Sequence, residues 1–591
     1  MTETTRRRDI DASAIAPDTR GMNFYRDDES LLDLLALYLP DDLRVHLAPH
    51  LDRLGALAAG ELDECAALAD RHPPVLHQRD RFGRDRQWIE YHPAYRRLEA
   101  VAYGEFGIHA MSHRPILGWP TPLPAVAKHA FTLLFNEAEF GLGCPINVTD
   151  SAAHLIRLFG DDAVKTRFLP RMLSQDMAEL WQGAQFMTEK SGGSDVGSLT
   201  STAIRATDGW RIHGEKWFCS NADAAVATLL ARPEGAPQGT RGLGLFVMPR
   251  LLDDGMPNRY RIVRLKDKLG TRSMASGEIS LEGAIAYPLG HLDAGFKQMA
   301  EMINWSRLSN GVKSAALMRR ALHDARQVYR HRLVFGARLL DLPLAQRQLL
   351  KIQLPSEQAL SMSFFTAAAL DSAERPGPDG GRANEARAVL RLATPVLKMR
   401  ATRDARRVTG DAMEVRGGCG YVEDFVNPRL LRDAHLGSIW EGTSNIVGID
   451  AIRRAIGRNG CQSAYQAALL DRLERCGELP VAFTDELRAG LRDAIELAEA
   501  ADEPDELWVR QAVTALYHAS SAILLAWEGC ETARRRGDAR RVLWARLALD
   551  HRLYASGPLS RVDRQRERAI ADAMLADARS TVTELAPLLS R

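Results

Sequence analysis

The sequence predicts a mainly α-helical protein with a central antiparallel β-domain and a helical C-terminal extension. Three textures predict it: apolar residues at helical spacing up to about residue 180, short alternating or β-branched segments up to about residue 292, and helical spacing again to the end. At 591 residues the chain is too long for a single core, so the textures read as separate domains.

Over residues 1–180, LLDLLALYLP, LDECAALADR and VAKHAFTLLF repeat at helical spacing, and His72-Pro73-Pro74 and Gly118-Trp119-Pro120 break the runs. An N-terminal helical domain follows. Over 181–292, GWRIHGEKWFCSN, AAVATLLARP, GLGLFVMPR, YRIVRLKDKLG and GEISLEGAIAYPLG are short and bounded by Gly or Pro, which fits antiparallel strands rather than a βαβ repeat. Asp208-Gly209 and Asp254-Gly255 read as turns. Over 293–458 long helical patterns return, interrupted by ERPGPDGG (374–381), an expected exposed loop. Residues 459–591 form the extension, rich in Ala, Leu, Arg, Asp and Glu and without lysine.

Lys and Arg number 77 against 76 Asp and Glu, so the whole chain exerts no pull on nucleic acid or an anionic membrane. The seven cysteines form no CxxC pair and no zinc-ligand spacing, so reduced thiols and no metal are expected. MTETTRRRDIDAS carries no apolar stretch behind its charges, and Leu31–Leu39 is too short to span a bilayer. A cytoplasmic location is expected. No P-loop, HExxH, GxSxG or EF-hand pattern occurs, and Gly417-Gly418-Cys419-Gly420 lies outside any βαβ unit.

Three polar-glycine segments remain. In MTEKSGGSD (187–195), two glycines flanked by hydroxyls allow backbone N–H groups to approach an electron-rich ligand; a tight surface turn is the alternative. GEKWFCSN (214–221) puts two aromatics on a strand, either for core packing or for stacking a flat cofactor ring. SIWEGTSN (438–445) puts Glu441 between a tryptophan and a glycine in an apolar stretch, as a general base of raised pKa or as a helix-capping glutamate.

Taken in order, these segments resemble the acyl-CoA dehydrogenase family over roughly residues 145–456. KLGTRS (268–273), RLVFG (332–336) and EVRGGCGY (414–421) are similar to further motifs of that family. Lys190 where a proline is usual, Trp440 where a tyrosine is usual, the LKDKLG and MEVRGGCGY stretches and the long tail resemble its AidB-like branch. That branch is associated with the response to DNA alkylation, and some members bind DNA through the tail.

The resemblance implies an N-terminal helical domain, a β-barrel-like middle domain and a C-terminal four-helix bundle, with FAD between the last two. It implies oxidation of an acyl-CoA, with Glu441 taking the α-proton and hydride passing to flavin N5, and an electron acceptor such as an electron-transfer flavoprotein. Thr188, Ser194, Phe218, Ser220, Gly417, Gly418, Thr443 and Asn445 are implied at the cofactor. Arg332 and Phe335 are implied to reach the FAD of a neighbouring subunit in a tetramer or dimer. Ser194, Arg307, Trp440 and Gly442 are implied at the substrate. Glu414 and Pro343 stand where the family commonly has glutamine, which puts two individual cofactor contacts in doubt.

Some relatives carry the base on the first bundle helix beside an arginine. Here Ser306 precedes Arg307 and Glu301 lies more than a turn away, so Glu441 is the expected base. The alternative function is an AidB-like flavoprotein that binds DNA and protects against alkylation, with vestigial dehydrogenase activity. Its phosphate ligands would be the tail arginines 534–536, 540, 541, 546, 552, 561, 564, 566 and 568. Asp538, Asp550, Asp563 and Glu567 are interleaved with them, which favours pairing across a subunit interface over DNA.

Overall fold

The computed structural model describes residues 15–207, 209–375, 383–502, 506–555, 557, 559, 561 and 563–590. Asp208 of the first expected turn and residues 376–381 of the expected loop lie outside the described residues. The second turn forms at Gly255 (φ 77°), where the Asp254 carboxylate accepts from the Met256 amide at 2.9 Å.

The N-terminal region is helical at Glu29–Tyr38, Asp41–Ala59, Glu61–Arg71, Pro93–Glu99, Ala125–Ala138, Gly143–Phe159 and Asp162–Met172. Its starts follow local chemistry: Asp28 caps the first helix by accepting from the Leu31 amide, and Asp161 caps the last through Val164. A hairpin, β1 (Val75–Arg79) with β2 (Asp85–Glu90), interrupts a stretch expected to be helical throughout. Pro73 and Pro74 end the preceding helix, and Asp80 ties the tip by accepting from the Phe82 and Arg84 amides. Gln87 then grips the middle domain, accepting from the Ile262 amide at 2.7 Å and donating to the Ile262 carbonyl at 2.9 Å.

The middle domain contains β3 (Gly183–Phe186), β4 (Thr202–Ala206), β5 (Gly209–Ser220), β6 (Val226–Pro233), β7 (Gly244–Pro249), β8 (Tyr260–Leu265) and β9 (Ser276–Pro288). Pairings β6–β4–β5–β9–β7 return to β6 and close a ring, with β8 added on β9. Closure removes exposed edges. The sheet is antiparallel as expected except at β6, which β3 and β4 join in parallel.

Three long helices, Gly295–His331, Pro343–Glu374 and Ala383–Arg416, form the bundle, and the shorter Asn427–Gly437 and Ser444–Ile449 complete it. Nearly every residue from Trp305 to Ala325 is buried, polar ones included, because the first helix is covered on all sides. Helices Cys461–Glu474, Val481–Ala500, Val509–Arg536 and Arg541–Ala548 of the extension join the same apolar core as the bundle and the N-terminal helices.

The expectation that the tail arginines pair across a subunit interface is replaced by pairing within the chain. Arg541 is buried between Glu357 (2.7 Å) and Glu528 (2.8 Å), and Glu357 in turn holds Arg319 at 2.7 Å, which also binds Asp28. Arg546 pairs with Glu486 and Asp550, Arg536 with Asp33, Arg534 with Glu478, and Arg540 with Asp538. Among the described residues no helix is long and apolar enough to cross a membrane, and no group of side chains could hold a metal ion.

Candidate active site

Glu441 sits in the turn between Asn427–Gly437 and Ser444–Ile449, with φ 57°, followed by Gly442 at φ 99°. A left-handed glutamate costs on the order of 1–3 kcal/mol and persists only where its surroundings fix it. Three consecutive carbonyls supply that fixing. Lys398 Nζ donates to Trp440 O at 2.9 Å and also to Gly442 O, while Arg307 Nε donates to Glu441 O at 3.1 Å. Arg307 is held in turn by Asp450 at 2.6 Å, which also takes Arg391 at 2.7 Å. The pairing with two arginines keeps Asp450 ionised below the usual carboxylate range, against the cost of burial.

The turn therefore presents the Glu441 side chain rigidly. Its Oε2 is sealed from solvent and has no hydrogen-bond partner. Burial raises its pKa, and the ammonium groups of Lys313 and Lys398, the Asn310 side-chain amide beside the carboxylate and the Arg307 guanidinium oppose the rise. Burial lowers the Lys398 pKa to about 7 against the attraction of Glu441. Trp440 stacks on Phe140 (5.5 Å, 24°), and Lys313 Nζ lies 4.6 Å from the Trp440 ring centroid. Trp440 Nε1 and Asn310 Oδ1 are also buried without partners.

The other expected residues fall into two groups. Thr188 O accepts from the Trp217 amide at 2.8 Å, which fastens the 187–195 loop beside Phe218 and Ser220 on β5. Glu189 frames that loop: buried, it pairs with Lys216 at 2.9 Å and accepts from Thr200 and Ser201. Phe218 is 56% exposed and Ser194 is exposed, so this face of the β-domain is open. Cys144, raised in pKa by burial, has Lys313, Glu441 and Ser220 as neighbours and links this face to the Glu441 turn. Thr443 and Asn445 follow Glu441 directly and are exposed.

Arg332, Phe335, Gly417 and Gly418 form the second group, with Arg332 Nη1 lying against Gly417. Arg332 is at the far end of the helix that carries Arg307, about 37 Å away at ~1.5 Å per residue. One chain does not bring the two groups together. Phe335 tips a short hairpin at φ 50° and is 100% exposed. Arg307, expected at the substrate, is occupied by Asp450 and the Glu441 carbonyl, so it shapes the turn. Glu301 is exposed, with the Arg391 guanidinium as its leading charge neighbour.

Asn310, Lys313, Lys398 and Asp450 were not among the expected residues. The available signal was lysine inside helices otherwise built from small residues, GVKSAAL and TPVLKMRAT, where a solvated face would carry more charge.

Comparison with known proteins identifies the family. Residues 15–178 match the adaptive response protein AidB N-terminal domain, 184–284 the acyl-CoA dehydrogenase middle domain and 293–457 the acyl-CoA dehydrogenase C-terminal domain. Acyl-CoA dehydrogenase family member 11 of Caenorhabditis elegans is 32% identical over 453 residues, 75% of this chain and 72% of the relative. The putative acyl-CoA dehydrogenase AidB of Escherichia coli is 34% identical over 412 residues, 67% of this chain and 72% of the relative. The crystal structure of Caenorhabditis elegans ACDH-11 in complex with C11-CoA superposes with a TM-score of 0.80 at 26% identity, covering 98% of each chain. The chain belongs to the acyl-CoA dehydrogenase family, with an AidB-type N-terminal domain, and is an oxidoreductase of that kind.

Proposed function

We propose that the protein catalyses FAD-dependent α,β-dehydrogenation of an acyl-CoA thioester, with Glu441 as the base. The observation that carries this reading is the Glu441 turn: a strained backbone pinned by Lys398 and Arg307, ending in a carboxylate oxygen with nothing to bind. A glutamate that only capped a helix would spend its oxygens on backbone amides. The relatives' names and the C11-CoA complex of the nematode protein support an acyl-CoA as the substrate class.

The residues fit FAD. Phe218 offers an exposed aromatic face, Thr188 and Ser220 offer hydroxyls beside it, and the orphaned Trp440 Nε1 offers a donor on the facing bundle side. FAD held there would supply a hydride acceptor for the substrate's β-carbon. The protein's own part is to hold Glu441 at the α-proton, to keep it basic by burial, and to exclude water with Trp440 and Phe140. Arg332 and Phe335 serve the FAD of a neighbouring subunit, and an electron-transfer flavoprotein is the proposed acceptor.

Two outcomes follow. Glu441 acts only when deprotonated and burial raises its pKa, so flavin reduction should climb with pH at values above the ordinary glutamate pKa of about 4.3. A pH–rate profile with its acid limb at or below that value contradicts the assignment. Phe335→Ala should leave thermal unfolding unchanged, because the ring is fully exposed within the chain, yet lower FAD retention of the assembled protein on gel filtration. Unchanged flavin content contradicts the intersubunit role.

The test of the whole reading is anaerobic mixing of the FAD-loaded protein with acyl-CoAs, following flavin absorbance. The DNA-binding alternative gains nothing from Arg534, Arg536, Arg540, Arg541 or Arg546, which are engaged by acids of the same chain.

A further inference from the structure

Five of the tail arginines, from Arg552 to Arg568, line one cleft, and Arg347, Lys351 and Arg407 join them from the bundle helices Pro343–Glu374 and Ala383–Arg416. The cleft has a volume of about 1140 Å³, just above the roughly 300–1,000 Å³ of small-molecule sites. Its lining sets these eight cations against three carboxylates, Asp550, Asp563 and Glu567. All three are already engaged. Asp550 pairs with Arg546 at 2.6 Å and Arg566 at 3.2 Å, and Glu567 with His551 at 2.7 Å and Arg347 at 3.3 Å. Asp563 caps the helix Arg564–Leu575 by accepting from the Gln565 and Arg566 amides.

The surplus of positive charge is therefore not cancelled inside the cleft. Arg407, Arg552 and Arg568 reach acids outside its lining, Asp411, Asp404 and Asp572, at 3.5, 3.6 and 3.8 Å. Lys351 and Arg564 have no carboxylate within ion-pairing distance among the described residues. Lys351 lies one helical turn from Arg347, on the same face. Burial lowers its pKa first, and the Arg347 and Arg407 guanidiniums lower it further, against Glu567 and Asp411. Beneath the cations, Leu350, Leu354, Leu547 and Ile570 form a buried apolar floor that focuses the field into the cleft. Crowded like charge costs stability, and an anion entering the cleft would relieve that cost. The cations line a recess, so a duplex, which carries its phosphates on its outside, would meet only those at the rim. A small molecule of dense negative charge can enter, and linked phosphates supply such charge in a form that guanidinium forks grip bidentately.

We propose that this cleft binds the phosphate chain of a small molecule, an oligophosphate such as a nucleoside triphosphate or an inorganic polyphosphate. Arg332, Phe335, Gly417 and Gly418 do not line it, so it is separate from the residues expected at a neighbouring subunit's FAD.

The experiment titrates the FAD-loaded full chain calorimetrically with inorganic tripolyphosphate, with ATP and with a short DNA duplex, all at matched ionic strength. Tripolyphosphate should bind one per chain, raise the unfolding temperature and leave FAD in place. Lys351→Glu combined with Arg564→Glu should weaken it about ten- to hundredfold, the worth of one hydrogen bond to a charged group. Lys351→Gln with Arg564→Gln should weaken it in the same direction. That pair only removes repulsion, so without ligand it should unfold no lower than wild type, which separates binding from folding. Arg81→Glu with Arg84→Glu, at the exposed tip of the β1–β2 hairpin, makes the same change in net charge and should bind as wild type does. ATP binding more tightly than tripolyphosphate marks a nucleotide as the ligand, and equal or weaker binding marks the inorganic chain. The proposal is overturned by absence of tripolyphosphate binding, by equal losses in the cleft and hairpin variants, or by release of FAD as tripolyphosphate binds. It is also overturned if the duplex binds through Lys351 and Arg564 while tripolyphosphate neither binds nor displaces it, which would assign the cleft to nucleic acid.

Discussion

Glu441→Gln should retain FAD and reduce it about 10²–10⁴-fold more slowly with any acyl-CoA that reduces the wild type, the usual loss for one general base. Glutamine preserves the shape of the side chain, and the backbone anchors from Lys398 and Arg307 bind carbonyls, which the substitution leaves in place. The loss should therefore fall on the chemical step, with thioester binding to the oxidised flavoprotein little changed. Anaerobic stopped-flow at saturating substrate separates the two. Reduction within a few-fold of wild type would place the base elsewhere.

Arg541→Ala should be the most damaging substitution in the extension. It leaves buried Glu528 without its cation and buried Glu357 with Arg319 alone, and stranding buried charge costs about 3–5 kcal/mol. That is a large part of the roughly 5–15 kcal/mol by which a folded domain is stable. Glu528 already has its pKa raised by burial, so the fold binds its proton more tightly than the unfolded chain does. Stability linked to that proton is lost as pH rises through the raised value, and the variant's deficit should grow with pH and shrink in acid. Thermal unfolding across pH, with hydrogen exchange in Val509–Arg536, checks both parts. A variant as stable as wild type would mean that Arg541 is a solvated side chain.

The order of domains and the position of the Glu441 turn were legible in the sequence because both rest on local signals. Apolar spacing marks the helices, and the glutamate between Trp440 and Gly442 falls on the turn at φ 57°. The hairpin at residues 75–90 was hidden because its exposed strands, VLHQR and DRQWIE, carry charges at positions where alternation would otherwise show. The parallel joins at β6 depend on which strands meet around the closed sheet, which no strand records by itself. The arginine pairings failed for a related reason. Arg541 meets Glu357 from 184 residues away, so a window on the tail sees only acids nearby and reads a solvated or intersubunit face. Lys313 and Lys398 carry no motif at all. They matter because helices Gly295–His331 and Ala383–Arg416 are covered on every side at those positions, a consequence of assembly.

The two groups of cofactor residues carry a similar lesson. The resemblance gave Thr188 and Phe218 to one FAD and Arg332 and Phe335 to the FAD of a neighbouring subunit, and the length of the first bundle helix keeps these two sets at separate ends of the chain. Phe335 is wholly exposed within the chain, as its proposed contact with the FAD of a neighbouring subunit requires.

The most direct test of the central claim is the product formed when the FAD-loaded protein is mixed with an acyl-CoA without oxygen. The account predicts flavin bleaching accompanied by one enoyl-CoA per flavin reduced. Stable oxidised flavin against short, long, plain and oxygen-bearing acyl-CoAs, with no enoyl-CoA formed, would contradict it.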